Sequence, residues 1–188
     1  MLFGPQRIPL KSEVYAVLRN ADPADAAQLI RYMKTTTAET PFLLRNPEEI
    51  YHTIEEERAF IRRVNEAERD IMLLAELNGV HAGNASLLSL GSLQRTRHRC
   101  SMAIALYKDY WGLGLGHAML NTLLEIARQT GYEQAELQVC TSNTRAIALY
   151  RDLGFTTTGI LPRSMKYPDG SYADEYTMIK RLDEDGKS

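Results

Sequence analysis

The stretch that decides the fold begins at Ser101-Met102-Ala103-Ile104-Ala105-Leu106 and runs into Tyr110-Trp111-Gly112-Leu113-Gly114-Leu115-Gly116. The first part is typical of a strand, and the second is followed by a helical pattern, another strand near Ala135 and a further helix. A strand that ends in alternate glycines leaves successive backbone N–H groups uncovered, and the following helix adds its positive N-terminal end. This order predicts a loop that binds an anionic pyrophosphate without a lysine.

The common nucleotide-binding motifs do not fit this loop. A dinucleotide fingerprint requires G-x-G-x-x-G, but its last glycine position falls on His117 when counted from Gly112 and on Met119 when counted from Gly114. A Walker loop requires G-x-x-x-x-G-K-[ST], and the only Gly-Lys pair, Gly186-Lys187, has Arg181 at the position of the motif's first glycine. Neither nucleotide motif is therefore predicted.

The loop resembles the coenzyme A loop of the GNAT acetyltransferase superfamily, in which a Gln or Arg is followed by two residues, a Gly, one residue, and a Gly or Ala. In this register the three positions are Trp111, Gly114 and Gly116. Both glycines match, whereas Trp111 departs from the family's Gln or Arg. We expect the loop to keep its function, because main-chain amides hold most of a bound pyrophosphate.

A second segment is similar to the same family's motif of Asn, Ala, Leu-Tyr and Leu-Gly-Phe. It reads Asn143-Thr144-Arg145-Ala146-Ile147-Ala148-Leu149-Tyr150-Arg151-Asp152-Leu153-Gly154-Phe155, one helix and one strand beyond the glycine loop. Other stretches resemble one broad bacterial group of the superfamily: Glu39–Leu44, Glu55–Glu57, Arg97-His98 and Arg163–Met178. The resemblance covers all but the first dozen residues and the last few.

The resemblance implies a single acetyltransferase domain over residues 1–188, with its core at about 13–182. It implies an α+β (α/β) GNAT fold with a mixed central sheet, an antiparallel meander, a splayed parallel strand pair that holds acetyl-CoA, and flanking helices. The cofactor-binding residues implied in this way are Ile104, Ala105, Leu106, Trp111, Gly112, Leu113, Gly114, Leu115, Gly116, His117, Asn143 and Tyr150. A backbone N–H near Leu106 would stabilise the oxyanion formed when an amine attacks the thioester.

Local patterns place helices and strands around these motifs. Asp22 before Pro23 predicts the start of a first helix, and Thr53 with Glu56 forms a capping box for a second helix through Val64. A third helix starts at Leu115 and stops near Gly131. Three antiparallel strands are predicted before the loop, at 71–77, 82–90 and 100–106, with a tight turn at Asn78-Gly79. After the loop, we expect a strand through Leu137 and Val139 and a last hairpin that turns at Pro168-Asp169-Gly170.

Two interpretations of Tyr150 stay open. The family places a tyrosine at this helical position as the general acid for the thiolate leaving group, and the resemblance assigns that role to Tyr150. The alternative is a packed helix residue, because Ala146, Leu149, Tyr150 and Leu153 form a core-like set at helical spacing. Asn143 could in the same way cap the helix, hydrogen-bond the pantetheine arm or an ordered water, or do both.

The general base is not apparent from the sequence. Many relatives have Glu in the strand before the Asn143 helix where this chain has Gln138, which cannot accept a proton. Substitutes are Glu39, Glu76, Asp174, Glu175, His98 and His117, each of which also has an ordinary structural interpretation. An alkylammonium with a pKa of ~10.4 is neutral in only about one molecule in 2,500 at pH 7, so some base is expected.

Composition excludes several functional classes. The chain has 188 residues, 44% of them hydrophobic, and a formal net charge of −2, which favours one well-formed core and disfavours a dedicated nucleic-acid binder. Cys100 and Cys140 belong to no metal-binding cluster and are expected to be buried free thiols, which fits a reducing cytoplasm. Neither an export signal nor a membrane span is predicted.

The sequence thus predicts a cytoplasmic N-acetyltransferase that transfers an acetyl group from acetyl-CoA, its cosubstrate, to a primary amine of a small molecule or protein N-terminus. No metal, nucleic acid or membrane partner is expected, and a homodimer is allowed for. The alternative is a catalytically weak acyl-CoA-binding regulatory protein, motivated by Gln138, and a weaker third hypothesis is an interaction scaffold in which the glycines serve only packing. The loop at 40–45 and the hairpin at 163–176 are expected to line the acceptor side.

Overall fold

A computed structural model describes residues 1–10 and 14–183 of the chain. The strands are β1 (Gln6–Pro9), β2 (Tyr15–Asn20), β3 (Ile71–Leu77), β4 (Val80–Ser89), β5 (Arg99–Leu106), β6 (Gln134–Cys140), β7 (Thr156–Lys166) and β8 (Tyr172–Arg181). The helices are α1 (Ala26–Glu39), α2 (Ile54–Glu66), α3 (Leu115–Gln129) and α4 (Thr144–Asp152). The chain forms two compact units. The first unit comprises 1–88 and 103–123, and the second comprises 89–102 and the described residues from 124 onward.

The strands follow one another in the order β1-β2-β3-β4-β5-β6-β8-β7, and β5 contributes to both units. β1, β2, β3 and β4 pair antiparallel in succession, whereas β5 and β6 pair parallel through Arg99–Ser101 and Gln134–Glu136. β8 lies antiparallel to both β6 and β7. The predicted mixed sheet with its meander, parallel strand pair and flanking helices is confirmed.

The first unit starts its helices as predicted. Asp22 and Asp25 form a capping box over a short turn at Pro23–Asp25, and α1 continues from there. Thr53 and Glu56 form the capping box of α2, which ends two residues beyond the predicted Val64. The apolar faces of α1 and α2 close over a buried cluster that includes Leu29, Tyr32, Ile61, Val64 and Leu74.

The first unit also contains two strands that the sequence analysis did not predict, β1 and β2. Ala16 and Leu18 of β2 are fully buried, and Tyr15 is 43% exposed. The sequence does not predict β2 because the strand ends in two polar residues, Arg19 and Asn20. Their side chains hydrogen-bond to Glu76 and Asn65, respectively. The N-terminal strands therefore extend the predicted meander at its far edge.

The hairpin between β3 and β4 has the predicted tight turn. Asn78 and Gly79 have φ values of +51° and +76°, as a two-residue turn of this hand requires. The β3–β4 register shifts after Ala75, which lies opposite Gly83, to Glu76, which lies opposite His81, so Ala82 forms a bulge. This bulge lies next to the end of β5, where the Tyr107 N–H donates to Ala82 O at 3.1 Å.

The second unit is organised around β6, which is paired along its whole length with β8. Its largest fully buried side chain is Phe155, shortly after α4, and Ala135 and Leu137 of β6 and Met178 of β8 are also buried. The hairpin β7–β8 turns at Pro168–Gly170, as predicted. No helix within 1–10 and 14–183 combines the length and apolarity that crossing a membrane would require.

Candidate active site

The glycine loop leads directly into α3, and two of its glycines have conformations that side chains disfavour. Gly112 and Gly114 have φ values of +82° and +84°. The first hydrogen bond of α3 runs from the Ala118 N–H to Gly114 O at 3.0 Å. The N–H groups of Leu115, Gly116 and His117 precede it and have no acceptor within their own helix. Since Gly114 has no side chain with which to cap them, they suit an anionic ligand.

The residues predicted around this loop are partly accessible. Ile104, Ala105 and Leu106 at the end of β5 are half-buried, Leu113 is 39% exposed, and Leu115 is buried as the first residue of α3. Trp111, at the position of the family's Gln or Arg, donates its indole N–H to Leu106 O at 3.1 Å. Trp111 therefore links the loop to the end of β5 through a side-chain hydrogen bond.

The end of β5 is also held from α1. The Tyr32 hydroxyl donates to Ala105 O at 2.7 Å, and Ala105 and Tyr107 pack against the buried cluster that includes Tyr32. A Cβ placed on Gly83 would lie 2.6 Å from Ala105 O and 2.8 Å from Leu106 Cα. Only a glycine at position 83 lets β4 come this close to the segment that carries the predicted oxyanion donor.

A buried histidine lies in the same region, and the sequence analysis did not single it out. The His81 ring lies 4.9 Å from the Tyr32 ring and 5.8 Å from the Tyr107 ring, centroid to centroid. His81 Nε2 is 2.6 Å from Asn84 Oδ1, and Nδ1 is a buried atom without a hydrogen-bond partner among the described residues. Burial lowers the pKa of His81, although the hydrogen bond to Asn84 acts in the opposite direction. At neutral pH the His81 imidazole is therefore uncharged, and its lowered pKa makes it a weaker base than a free histidine.

No pattern in the sequence marks His81 as buried, because His81, Ala82 and Gly83 are all buried and the bulge at Ala82 interrupts the alternation of β4. The ion pairs nearby were not predicted either, because Arg19 and Glu76 are far apart in the chain. Arg19 contacts both Asp25, at 2.7 Å, and Glu76, at 2.6 Å. Burial disfavours the Asp25 carboxylate, but hydrogen bonds from Arg19 and the Asp22 amide outweigh it and lower the pKa of Asp25.

In the second unit, Asn143 caps α4. Its Oδ1 accepts a hydrogen bond from the Ala146 N–H at 3.1 Å, which confirms the capping interpretation. Tyr150 lies on the buried face of α4, 7% exposed, with its ring 6.0 Å from that of Phe155. Burial raises the pKa of Tyr150 to about 12. The phenol therefore keeps its proton at neutral pH, although the shift makes it a weaker acid than a free tyrosine.

The carboxylates considered as general bases mostly have structural partners. Glu76 pairs with Arg19, and Asp174 accepts the Arg163 N–H at 2.7 Å. Glu39 Oε2 accepts the Lys108 N–H at 2.8 Å, which brings this carboxylate to the segment between β5 and the loop. Glu175 lies opposite Cys140 in the β6–β8 register.

The remaining candidate bases differ in exposure, because His98 is half-buried and His117 is exposed. His98 accepts the Glu133 and Gln134 N–H groups through its carbonyl, and the side chains of His117 and Gln138 are exposed. Cys100 and Cys140 are buried free thiols, as expected. Within 1–10 and 14–183, no cluster of three or more His, Cys, Asp or Glu side chains is arranged to hold a metal ion.

Comparison with known proteins gives a consistent result. The family model described as the acetyltransferase (GNAT) family matches residues 34–155. Among curated proteins, the L-amino acid N-acyltransferase MnaT of Escherichia coli is 31% identical over 60% of this chain and 65% of its own length. The chain therefore spans just under two thirds of that relative.

Solved structures match over more of the chain. An acetyltransferase of the GNAT family from Streptococcus pneumoniae is 32% identical, with a TM-score of 0.83, and the match covers 88% of this chain and 99% of that one. The yncA protein of Salmonella typhimurium, solved with its cofactor acetyl-CoA, is 25% identical with a TM-score of 0.79, over 90% of this chain and 95% of that one. The match to the first structure includes nearly all of its length.

Proposed function

This chain belongs to the GNAT family of acetyltransferases, and we propose on that basis that it transfers an acetyl group from acetyl-CoA to the primary amine of a small molecule or protein N-terminus. The observation that carries the proposal is the loop at 111–116, where positive-φ glycines precede a helix whose first amides have no helical acceptor. A single domain, a cytoplasmic location and a homodimer remain predictions.

The residues of the loop fit the pyrophosphate of coenzyme A. The donors are the N–H groups of Leu115, Gly116 and His117, which are reinforced by the positive end of α3. Side chains at Gly112 and Gly114 would be strained at these φ values. The binding therefore depends on main-chain groups, so Trp111 can replace Gln or Arg without removing a donor to the phosphates.

Two groups of the chain would act on the reaction. Bound acetyl-CoA supplies an activated acyl group, the thioester, which a neutral amine attacks. The Leu106 N–H at the end of β5 would stabilise negative charge on the carbonyl oxygen, an effect of about 3–4 kcal/mol where such donors have been removed. Tyr150 would hold a proton for the departing sulfur.

The pKa of Tyr150 limits how that proton is used. With a pKa of about 12 against ~8.5 for a thiol, complete transfer is uphill by about 3.5 pKa units, or about 5 kcal/mol. Hydrogen-bond donation to the developing thiolate needs no complete transfer and benefits from a phenol that stays protonated. We therefore assign Tyr150 the role of a hydrogen-bonding acid.

The acylation named for one relative indicates which acceptor to test first. The relative from Escherichia coli is named for acylation of L-amino acids, which supports a small amino acid as the first acceptor to test. The loop at 40–45 and the hairpin at 163–176 are proposed to contact the acceptor.

The alternative function is a catalytically weak acyl-CoA-binding regulatory protein, which Gln138 favours because an amide cannot accept a proton.

The decisive test is thermal unfolding with acetyl-CoA, followed by an amine screen. Acetyl-CoA at 100 times its Kd should stabilise the protein by ~2.7 kcal/mol, a rise in Tm of roughly 5–10 °C, whereas NAD and ATP should have no effect. CoA release is then measured with L-methionine, other L-amino acids, polyamines, aminoglycosides and short peptides. A rise in Tm without release on any amine would favour the regulatory protein, and no rise at saturation would contradict both.

A further inference from the structure

We propose that the Tyr32 hydroxyl sets the direction of the Leu106 backbone N–H, which makes Tyr32 a positioning residue for the acetyl carbonyl of acetyl-CoA. The inference rests on the proposed function, because it concerns the N–H group that would contact the thioester oxygen. Tyr32 lies on α1, 73 residues before Ala105 in the sequence, and its role is not apparent from the loop motif.

The peptide group between Ala105 and Leu106 is planar, so its carbonyl and its N–H turn together. This peptide is trans, so its C=O and N–H point in opposite directions. The Tyr32 hydroxyl donates to Ala105 O at 2.7 Å. A rotation of the peptide plane that turned the Leu106 N–H would also turn the carbonyl and break that hydrogen bond. Tyr32 therefore fixes the N–H direction without contacting the N–H itself.

The next peptide plane is held from both sides. Leu106 O accepts the indole N–H of Trp111 at 3.1 Å, and the Tyr107 N–H donates to Ala82 O at 3.1 Å. Leu106 thus lies between two peptide planes, one anchored by Tyr32 and the other by Trp111 and the bulge of β4. Trp111, which replaces the family's Gln or Arg, thus holds the carbonyl of Leu106, the residue whose N–H is the proposed oxyanion donor.

Tyr32 is itself rigidly placed. It is 5% exposed and packs in the cluster of α1, α2 and β3, with its ring edge-on to Tyr107 at 5.3 Å and 82°. Burial raises the pKa of Tyr32, so the hydroxyl stays protonated and remains a donor. The absence of a side chain on Gly83 leaves room for the Ala105 carbonyl, since an added Cβ would lie 2.6 Å from Ala105 O.

The test compares the binding of acetyl-CoA with that of CoA, because only acetyl-CoA has the carbonyl that the Leu106 N–H would contact. Isothermal titration gives the ratio of the Kd for CoA to the Kd for acetyl-CoA in the full-length protein. We expect Tyr32→Phe to lower this ratio about fivefold while the Kd for CoA stays unchanged. The matched control is Tyr15→Phe, which removes a hydroxyl from a ring that is 43% exposed on β2.

Infrared difference spectra with acetyl-CoA labelled with ¹³C at the carbonyl give a second readout. In the wild type the carbonyl stretch should shift on binding, and in Tyr32→Phe it should return toward the value of free acetyl-CoA. An unchanged Kd ratio and an unchanged band in a folded Tyr32→Phe variant would overturn the proposal, as would equal weakening of both ligands. If Tyr32→Phe does not fold, Tyr32→Met, which also lacks the hydroxyl that donates to Ala105 O, is subjected to the same comparison, with the same expected and contrary results.

Different results would overturn the proposed function and the role of Tyr32. Absence of acetyl-CoA binding by the wild type would overturn the proposed function and, with it, the role of Tyr32. Normal binding and turnover by the wild type, together with an unaltered Kd ratio in Tyr32→Phe, would overturn the role of Tyr32 alone.

Discussion

The helices α3 and α4 each follow one of the two parallel strands, β5 and β6, yet their N-termini are completed in different ways. At α4, Asn143 accepts the Ala146 N–H, so a side chain of the protein occupies the helix end. At α3, the preceding residue is Gly114, which has no side chain to offer. The helix end that is proposed to bind the cosubstrate is thus the one that is preceded by a residue without a capping side chain.

The same two regions differ in which atoms carry function. The loop before α3 would act through main-chain groups and requires glycine mainly for backbone conformation. The face of α4 would act through the side chain of Tyr150. A substitution in the loop should therefore affect binding, and a substitution on α4 should affect turnover.

The largest effect is expected from Tyr150→Phe. Removal of the phenolic hydroxyl should lower kcat about 100-fold, because the departing sulfur loses its hydrogen-bonding acid, and the Kd for acetyl-CoA should stay within about twofold. Steady-state kinetics with the best amine of the screen, together with titration calorimetry, measures both. Tyr51→Phe, at a ring that is 82% exposed, is the control. Full activity of Tyr150→Phe would show that the residue only packs.

The next effect is expected from Gly114→Val. A β-branched residue at a φ of +84° is strained, so the loop should rearrange and acetyl-CoA should bind at least about tenfold more weakly. The control is Gly159→Val, because Gly159 lies in β7 with no atom within 4 Å of an added Cβ and has no positive φ. Unchanged acetyl-CoA affinity in Gly114→Val would mean that the loop does not hold the pyrophosphate.

The smallest effect is expected from Asn143→Ala. Loss of the cap should lower the free energy of unfolding by about 1 kcal/mol, which corresponds to a Tm decrease of roughly 2–4 °C. Asn143→Ser should restore the stability, since serine also caps helices. If Asn143 also contacts the cofactor, the serine variant should regain stability without regaining acetyl-CoA affinity. Equal recovery of both quantities would limit Asn143 to capping.

Much of this arrangement could be predicted from local sequence. The helix caps at Asp22, Thr53 and Asn143 and the turn at Asn78-Gly79 were found because each involves residues close together in the chain. The glycine loop was found for the same reason. Where the determinants of a feature lie within four residues, the pattern of side chains is enough to predict it.

The features that could not be predicted depend on residues far apart in the chain. Tyr32 reaches Ala105 across 73 positions, and Arg19 reaches Glu76 across 57. No periodicity in the sequence marks such pairs, since each side chain alone is compatible with a solvent-exposed position. His81 was missed because the bulge at Ala82 interrupts the alternation that would have shown which face of β4 is buried.

The two buried cysteines of the second unit can be used to measure how often its strands open. Cys100 and Cys140 are 0% and 2% exposed, on the adjoining strands β5 and β6. A thiol reagent can reach them only when these strands open, so the rate of labelling reports the frequency of that opening in the native protein. The labelling rate of these native thiols would therefore measure the opening of β5 and β6 without any added reporter group.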